Sequence, residues 1–183
     1  MNDTNKAIIT GKIIHIYEIS RNPARVIVTV SANGDNPKIF AAGMQAEYII
    51  QNLRIGDTVT VNANLQSSVK SKIGRTVTVF CDSIRKNYSR TENVNRFYLA
   101  GDVVSTRTDT ERNVSTMIIR TRVNGRISTI PVVFYNPDHR LFAIVTDNPT
   151  IAISGKIQTV CKDYGNGKRV YHQNYVADFP RND

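Results

Sequence analysis

The chain repeats itself. Asn5-Lys6-Ala7-Ile8-Ile9-Thr10-Gly11-Lys12-Ile13-Ile14 aligns with Asn95-Arg96-Phe97-Tyr98-Leu99-Ala100-Gly101-Asp102-Val103-Val104 at an offset of 90. Thr58-Val59-Thr60-Val61-Asn62-Ala63-Asn64-Leu65-Gln66 aligns with Thr150-Ile151-Ala152-Ile153-Ser154-Gly155-Lys156-Ile157-Gln158 at an offset of 92. Two matches about 50 residues apart in nearly the same register are the signature of a duplicated unit. Within 183 residues this means a tandem of two small, similar domains.

The period inside each unit is that of a β-strand. In Arg25-Val26-Ile27-Val28-Thr29-Val30-Ser31 the residues Val26, Val28 and Val30 share one face, and Thr58 to Ala63 alternates in the same way. Ala7–Tyr17, Arg25–Ala32, Thr58–Leu65 and Thr76–Ile84 are separated by Asn, Gly and Pro clusters that read as turns. Met44 to Leu53 differs, with no Gly or Pro and with Ala46, Ile49, Ile50 and Leu53 at helical spacing. In the second half the expected strands are Phe97–Thr106, Val114–Val123, Arg126–Tyr135, Thr150–Cys161 and Arg169–Phe179, with a short helix near Pro137–Ile144.

Five strands with a helix between the third and fourth is the order of the OB-fold, a partly open Greek-key barrel. The expected fold class is therefore all-β: two tandem OB-folds, the first over residues 1–88 and the second over residues 96–183. Residues 89–95, within the polar stretch Asn87 to Asn95, form the linker. Pro131 inside a third strand fits only an edge or a bulge.

Charge narrows the partners. Lys and Arg number 24 against 15 acids, a net charge of +9 with a pI near 9.8. That is an electrostatic footprint for nucleic acid, for an anionic surface, or for simple solubility. The cations recur inside β-like segments, as at Arg120-Thr121-Arg122 and Lys168-Arg169, which disfavours a polybasic membrane anchor. The longest apolar run, Ile130 to Tyr135, is far short of the roughly 20 residues of a membrane helix. The N-terminus lacks a signal-peptide pattern, and the expected location is cytoplasmic. Cys81 and Cys161 are too few and too far apart for a zinc site or disulfide framework, and read as reduced, half-buried core thiols.

At this point the sequence resembles a family, the bacterial single-stranded DNA-binding proteins and their primosomal relatives. Asn5-Lys6-Ala7-Ile8-Ile9-Thr10-Gly11-Lys12-Ile13 resembles the family's first strand. Gly43, Ala46-Glu47, Leu53-Arg54 and Gly56 hold the family's spacing from the end of strand three, through the helix, to the turn before strand four. Val132-Val133-Phe134 resembles the strand-three ending, and the step from Phe134 to Asn148 agrees with it. These motifs cover about half of the chain. Departures are equally plain: there is no Trp for stacking, Ala42 stands before Gly43 where the family usually has Phe, and the acidic C-terminal tail is missing. They fit a phage or mobile-element version better than a host housekeeping protein.

The resemblance implies single-strand binding without sequence preference, which needs cations along the phosphates and rings on which bases stack. It makes Phe134 the ligand-face phenylalanine; the other reading is a core aromatic. Arg120 and Arg122 share a strand face, and Arg126 opens the next strand. The expected hairpin between strands four and five of the second unit carries Lys162, Tyr164, Lys168, Arg169 and Tyr171 around a Gly-Asn-Gly turn. The matching loop of the first unit carries Lys70, Lys72 and Arg75. Tyr17, Arg25, Lys38 and Phe40 are weaker candidates. Related chains with one OB-fold commonly form tetramers, so the resemblance also implies that this tandem could form a homodimer.

Catalysis is not expected. His15, His139 and His172 have no Cys or carboxylate at metal-ligand spacing. Gly165-Asn166-Gly167-Lys168-Arg169 lacks the upstream Gly and following Ser/Thr of a phosphate loop. No cofactor, metal or small-molecule substrate is expected. The partner is single-stranded DNA, with RNA open. A second reading from another class is an OB-type adaptor that binds protein, because the fold serves both roles.

Overall fold

The structure, a computed structural model, describes residues 2–70, 74–88, 93–135, 149–163, 165 and 169–178. Among these are ten strands and one helix: β1 (Thr4–Arg21), β2 (Ala24–Ser31), β3 (Lys38–Ala42), α1 (Met44–Asn52), β4 (Thr58–Lys70), β5 (Gly74–Lys86), β6 (Val94–Asp109), β7 (Val114–Val123), β8 (Arg126–Tyr135), β9 (Thr150–Asp163) and β10 (Arg169–Ala177). The strand order β2-β3-β5-β4-β1 is closed by a β1–β2 pairing, and β6-β7-β8-β10-β9 is closed by β6–β9. Each half is thus a five-stranded barrel, as the strand order predicts, and closure removes most unpaired edges. The helix predicted near residues 137–144 falls outside the described residues. Val94 and Asn95, the last residues of the expected linker, already belong to β6.

The barrels join through β1 and β6, which pair antiparallel from Thr4↔Ala100 to Thr10↔Val94. Within this ladder Ala7 faces Phe97, its own counterpart at the offset of 90. A pair of equivalent residues facing each other marks a local two-fold axis, the geometry of an isologous dimer within one chain.

Near the axis β1 must serve two neighbours. It pairs with β4 from Ala7↔Ala63 to Lys12↔Thr58, and in that register Asn5 falls opposite Leu65. No backbone bridge forms there. The buried Asn5 carboxamide takes its place: Nδ2 donates to Leu65 O (2.8 Å) and Oδ1 accepts from Leu65 N (2.8 Å). Asn95 does the same for Ile157, at 2.9 and 3.1 Å. A carboxamide carries the same donor and acceptor as a peptide group, so the ladder is satisfied where the backbones part. Asn5 Nδ2 also reaches Thr121 Oγ1 of the second barrel (3.2 Å).

Gly11 and Gly101, the next repeated positions, lie where the first strand of each barrel passes the second. A Cβ on Gly101 would stand 2.2 Å from Arg120 O, and one on Gly11 2.0 Å from Ser31 O. Only glycine allows this approach.

The cores fill differently. The first barrel places Ala7, Ala63 and Val79 where the second places Phe97, Gly155 and Tyr175. Phe97 and Tyr175 pack edge to face with centroids 6.2 Å apart. A Cβ on Gly155 would come within 2.7 Å of Phe97 Cζ, so the glycine makes room for the larger ring. In the first barrel α1 adds its buried Ala46 and Ile49 to the core, joined by Leu53.

Pro131 sits as the edge rule requires. It faces Ile118 on β7, while β8 meets β10 only from Val132↔Tyr175 onward. The equivalent Lys38 uses its N–H outside the barrel, donating to the Gln173 carboxamide. Proline has no such N–H to satisfy.

Two outcomes are expected in urea unfolding. Asn95→Ala strands the buried N–H and C=O of Ile157 and lowers stability by about 2 kcal/mol or more, since each buried unpaired group costs about 1–3 kcal/mol. Gly101→Ala forces β6 from β7 and costs about 1–3 kcal/mol.

Candidate nucleic-acid interface

On the outer face of the first barrel, strand register assembles a rank of side chains. Tyr17 pairs with Ile27, Ile27 with Phe40, and Phe40 with Phe80. Directly paired residues share a face of the sheet. The Phe40 and Phe80 rings lie 5.6 Å apart at a tilt of 46°. Tyr17 is 57% exposed, and Ile27, Phe40 and Phe80 are half-buried. Exposed Arg25 and Lys38 lie two positions from Ile27 and Phe40 on the same face, one on either side of the rank. Tyr17, Arg25, Lys38 and Phe40, the weaker candidates of the sequence, therefore form one surface. Ile27 and Phe80 complete it and were not anticipated, although their alternation places them. At the far edge Asp82 accepts from Asn64 Nδ2 (2.5 Å), and burial holds its carboxyl above the usual carboxylate range.

The second barrel presents a different outer face. The equivalent rank is Arg107, Thr116, Val133 and Val176, followed by Ile118 beside Pro131. Arg120 and Arg122 project from this face, both exposed. Arg120 Nη2 meets Asp102 Oδ2 at 2.8 Å, and the backbone N–H of Arg122 donates to the Asp3 carboxylate. Exposed Arg107 is an unanticipated third cation here, hidden in sequence among the acids and threonines of Ser105 to Glu111.

Phe134 is the correction. Ser128, Ile130, Val132 and Phe134 all face the barrel interior, and Phe134 is only 4% exposed within the core. It lies on the opposite face of the sheet from Arg120 and Arg122, so it offers no stacking surface. The cause is a one-residue slip, which exchanges the faces of a strand. Val133 matches Phe40 in the barrel register, so Tyr135, not Phe134, matches Ala42, the place before Gly43. Tyr135 is 45% exposed and donates to Gln158 Oε1 at 3.2 Å.

The β9–β10 hairpin runs past the end of its own barrel onto the first. Lys162 and Arg169 are exposed, Arg169 pairing with Asp163 at 3.5 Å. Along one face of β10, Tyr175 donates to Val77 O (3.4 Å), Gln173 accepts from the Lys38 N–H, and the Tyr171 ring lies 5.5 Å from Lys38 Nζ. Between the barrels these residues line a groove of about 450 Å³ with Ile27, Phe40, Thr78, Pro131 and His172. Ser67 Oγ accepts from Thr129 N (2.9 Å), tying β4 to β8 across the axis. Arg126 lies in a polar cleft with Lys6, Asn64, Gln66 and Asp82, next to the Phe80 end of the first-barrel rank. Tyr164, Lys168 and Lys72 fall outside the described residues, as do the side chains of Lys70 and Arg75.

The thiols also differ from expectation. Cys81 is fully buried, and burial pushes its thiol up to about 12, whereas Cys161 is exposed opposite Tyr171. Among the described residues no helix is long and apolar enough to cross a membrane.

No family model matches the chain, and no curated protein matches it. Solved structures do. A deletion mutant of the single-stranded DNA-binding protein from Thermus aquaticus superimposes with a TM-score of 0.69 at 14% identity, over 100% of this chain and 99% of that one. The wild-type Thermus aquaticus protein gives 0.67 at 15% identity, over 97% and 91%. A second single-stranded DNA-binding protein of Mycobacterium smegmatis covers 50% of this chain and 98% of its own, with a TM-score of 0.40 at 18% identity. Over its whole length, then, this chain has the fold of the Thermus aquaticus single-stranded DNA-binding protein, two OB barrels in one polypeptide.

Proposed function

We propose that this protein binds single-stranded DNA without sequence preference, as a non-enzymatic component of DNA replication, recombination or transfer. One observation carries the reading: the rank Tyr17, Ile27, Phe40 and Phe80 on an open face, with Arg25 and Lys38 on either side. Every base has a flat face that stacks on such a rank, and every nucleotide brings a phosphate to the flanking cations. The net charge of +9 favours a polyanion. Duplex DNA hides its base faces, so a stacking surface selects single strands. The Thermus aquaticus proteins that share this fold are single-stranded DNA-binding proteins.

A second reading, a protein-binding adaptor, draws on a cleft beside α1 lined by Ile16, Ile50, Leu53 and Ile55, the last 64% exposed. It predicts a folded protein that ignores single strands.

Fluorescence polarisation with labelled dT and rU oligomers and a duplex, from 50 to 300 mM salt, tests the proposal. Binding to dT well above binding to the duplex is expected, with a log–log salt slope of about −0.7 per phosphate neutralised. Equal affinity for both, or no salt dependence, rejects it.

The two barrels make separable contributions. Tyr17→Ala is expected to cost about 1–3 kcal/mol of binding at every salt concentration, with the slope unchanged. Arg120→Ala with Arg122→Ala lowers both affinity and slope. Phe134→Ala costs about 3–5 kcal/mol of stability, while the folded fraction binds dT normally.

A further inference from the structure

The groove between the barrels lies on the local two-fold axis, yet its two sides do not match. Lys38 and Phe40 on β3 correspond to Pro131 and Val133 on β8, and Gln173 on β10 corresponds to Val77 on β5. One side therefore offers a cation, a ring and a carboxamide, and the other offers Pro131 and Val77 with the His172 imidazole. Tyr171 comes from the second barrel but lies against the first, so neither barrel builds this site alone.

The hairpin is held there by design of its own strand. Tyr171, Gln173 and Tyr175 share one face of β10, and the latter two bond to the backbone of β3 and β5. Tyr171 is thereby positioned over Lys38, with 53% of its surface exposed. A cation over an exposed ring gains less than a base stacked on that ring. The Lys38 ammonium thus holds a place that a base can take, and on leaving the ring it is free to meet the phosphate of the same nucleotide. A volume of about 450 Å³ is in the range of small-ligand clefts and accommodates one nucleotide.

We infer that the inter-barrel groove seats a single nucleotide of the bound strand, its base against Tyr171 and Phe40 and its phosphate on Lys38. This rests on the single-strand reading above and goes beyond it, because it makes the junction of the barrels, and not a barrel face, the anchoring point. Stacking in the groove tolerates any base, and the anchor requires both barrels in one assembly.

The full-length protein and its variants are titrated with labelled dT oligomers, and cross-linked to the same oligomers carrying 5-iododeoxyuridine. Tyr171→Ala is expected to weaken binding about tenfold at each salt concentration, and Tyr171→Phe to restore it. Lys38→Gln is expected to make the salt slope shallower. Val77→Ala, on the other side of the groove, leaves affinity within twofold. Cross-links map to Tyr171 or Phe40 in the wild type. Should Tyr171→Ala fold poorly, which its melting curve would reveal, the wild-type cross-links decide. If the wild type binds dT while both groove variants stay within twofold of it and no cross-link reaches Tyr171 or Phe40, the inference is overturned and single-strand binding stands. If the wild type binds no single strand at all, the proposed function fails and takes the inference with it.

Discussion

Everything else in this molecule is arranged around the antiparallel pairing of β1 with β6. Each of these strands belongs to a closed barrel and also pairs with the other, so its backbone serves two ladders at once. Where β1 leaves β4, and where β6 leaves β9, a peptide group on the neighbouring strand would be orphaned in the core. Asn5 and Asn95 meet that need with a side-chain amide in place of a backbone one. The strands are then free to bend towards each other, and the hairpins of each barrel can lie along the other. The groove with Tyr171 exists only because of that arrangement.

Around this shared frame the halves have diverged in a consistent direction. The first barrel keeps small residues inside at Ala7 and Ala63 and carries rings outside at Tyr17, Phe40 and Phe80. The second buries rings at Phe97, Phe134 and Tyr175 and shows arginine and aliphatic groups along the equivalent rank, its exposed Tyr98, Tyr135 and Tyr171 lying off that rank. Aromatic area turned inward stabilises a core, and the same area turned outward offers a stacking surface. Which way a ring faces is decided by strand parity. Phe40 and Phe134 are both third-strand phenylalanines, yet they face opposite sides of the sheet.

That parity explains what the sequence could and could not reveal. The duplication, the strand order and α1 were legible because they rest on spacing along the chain. So was the tolerance of Pro131, since proline is confined to edges whatever the fold. Strand alternation puts Phe134 on one face with Ile130 and Val132, but alternation alone does not say which face is inside. The family likeness assigned it outward, and the register moved that place to Tyr135. Arg107 was obscured by acidic neighbours whose side chains need not be neighbours in the sheet. The meeting of Lys38 with Tyr171 joins residues 133 positions apart from different barrels, 171 less 38, and no local pattern encodes it.

A two-fold axis made within one chain also differs from one made between copies. In a dimer of identical subunits every side chain appears on both sides of the axis, so Lys38 would face Lys38 across the groove. Here one side holds Lys38 and the other Pro131, an arrangement that identical subunits cannot produce. Dilution separates copies but not domains of one polypeptide, whose effective concentration for each other is set by the connection between them. The paired barrels, and the cleft at their junction, therefore persist at concentrations where a dimer of separate halves would dissociate.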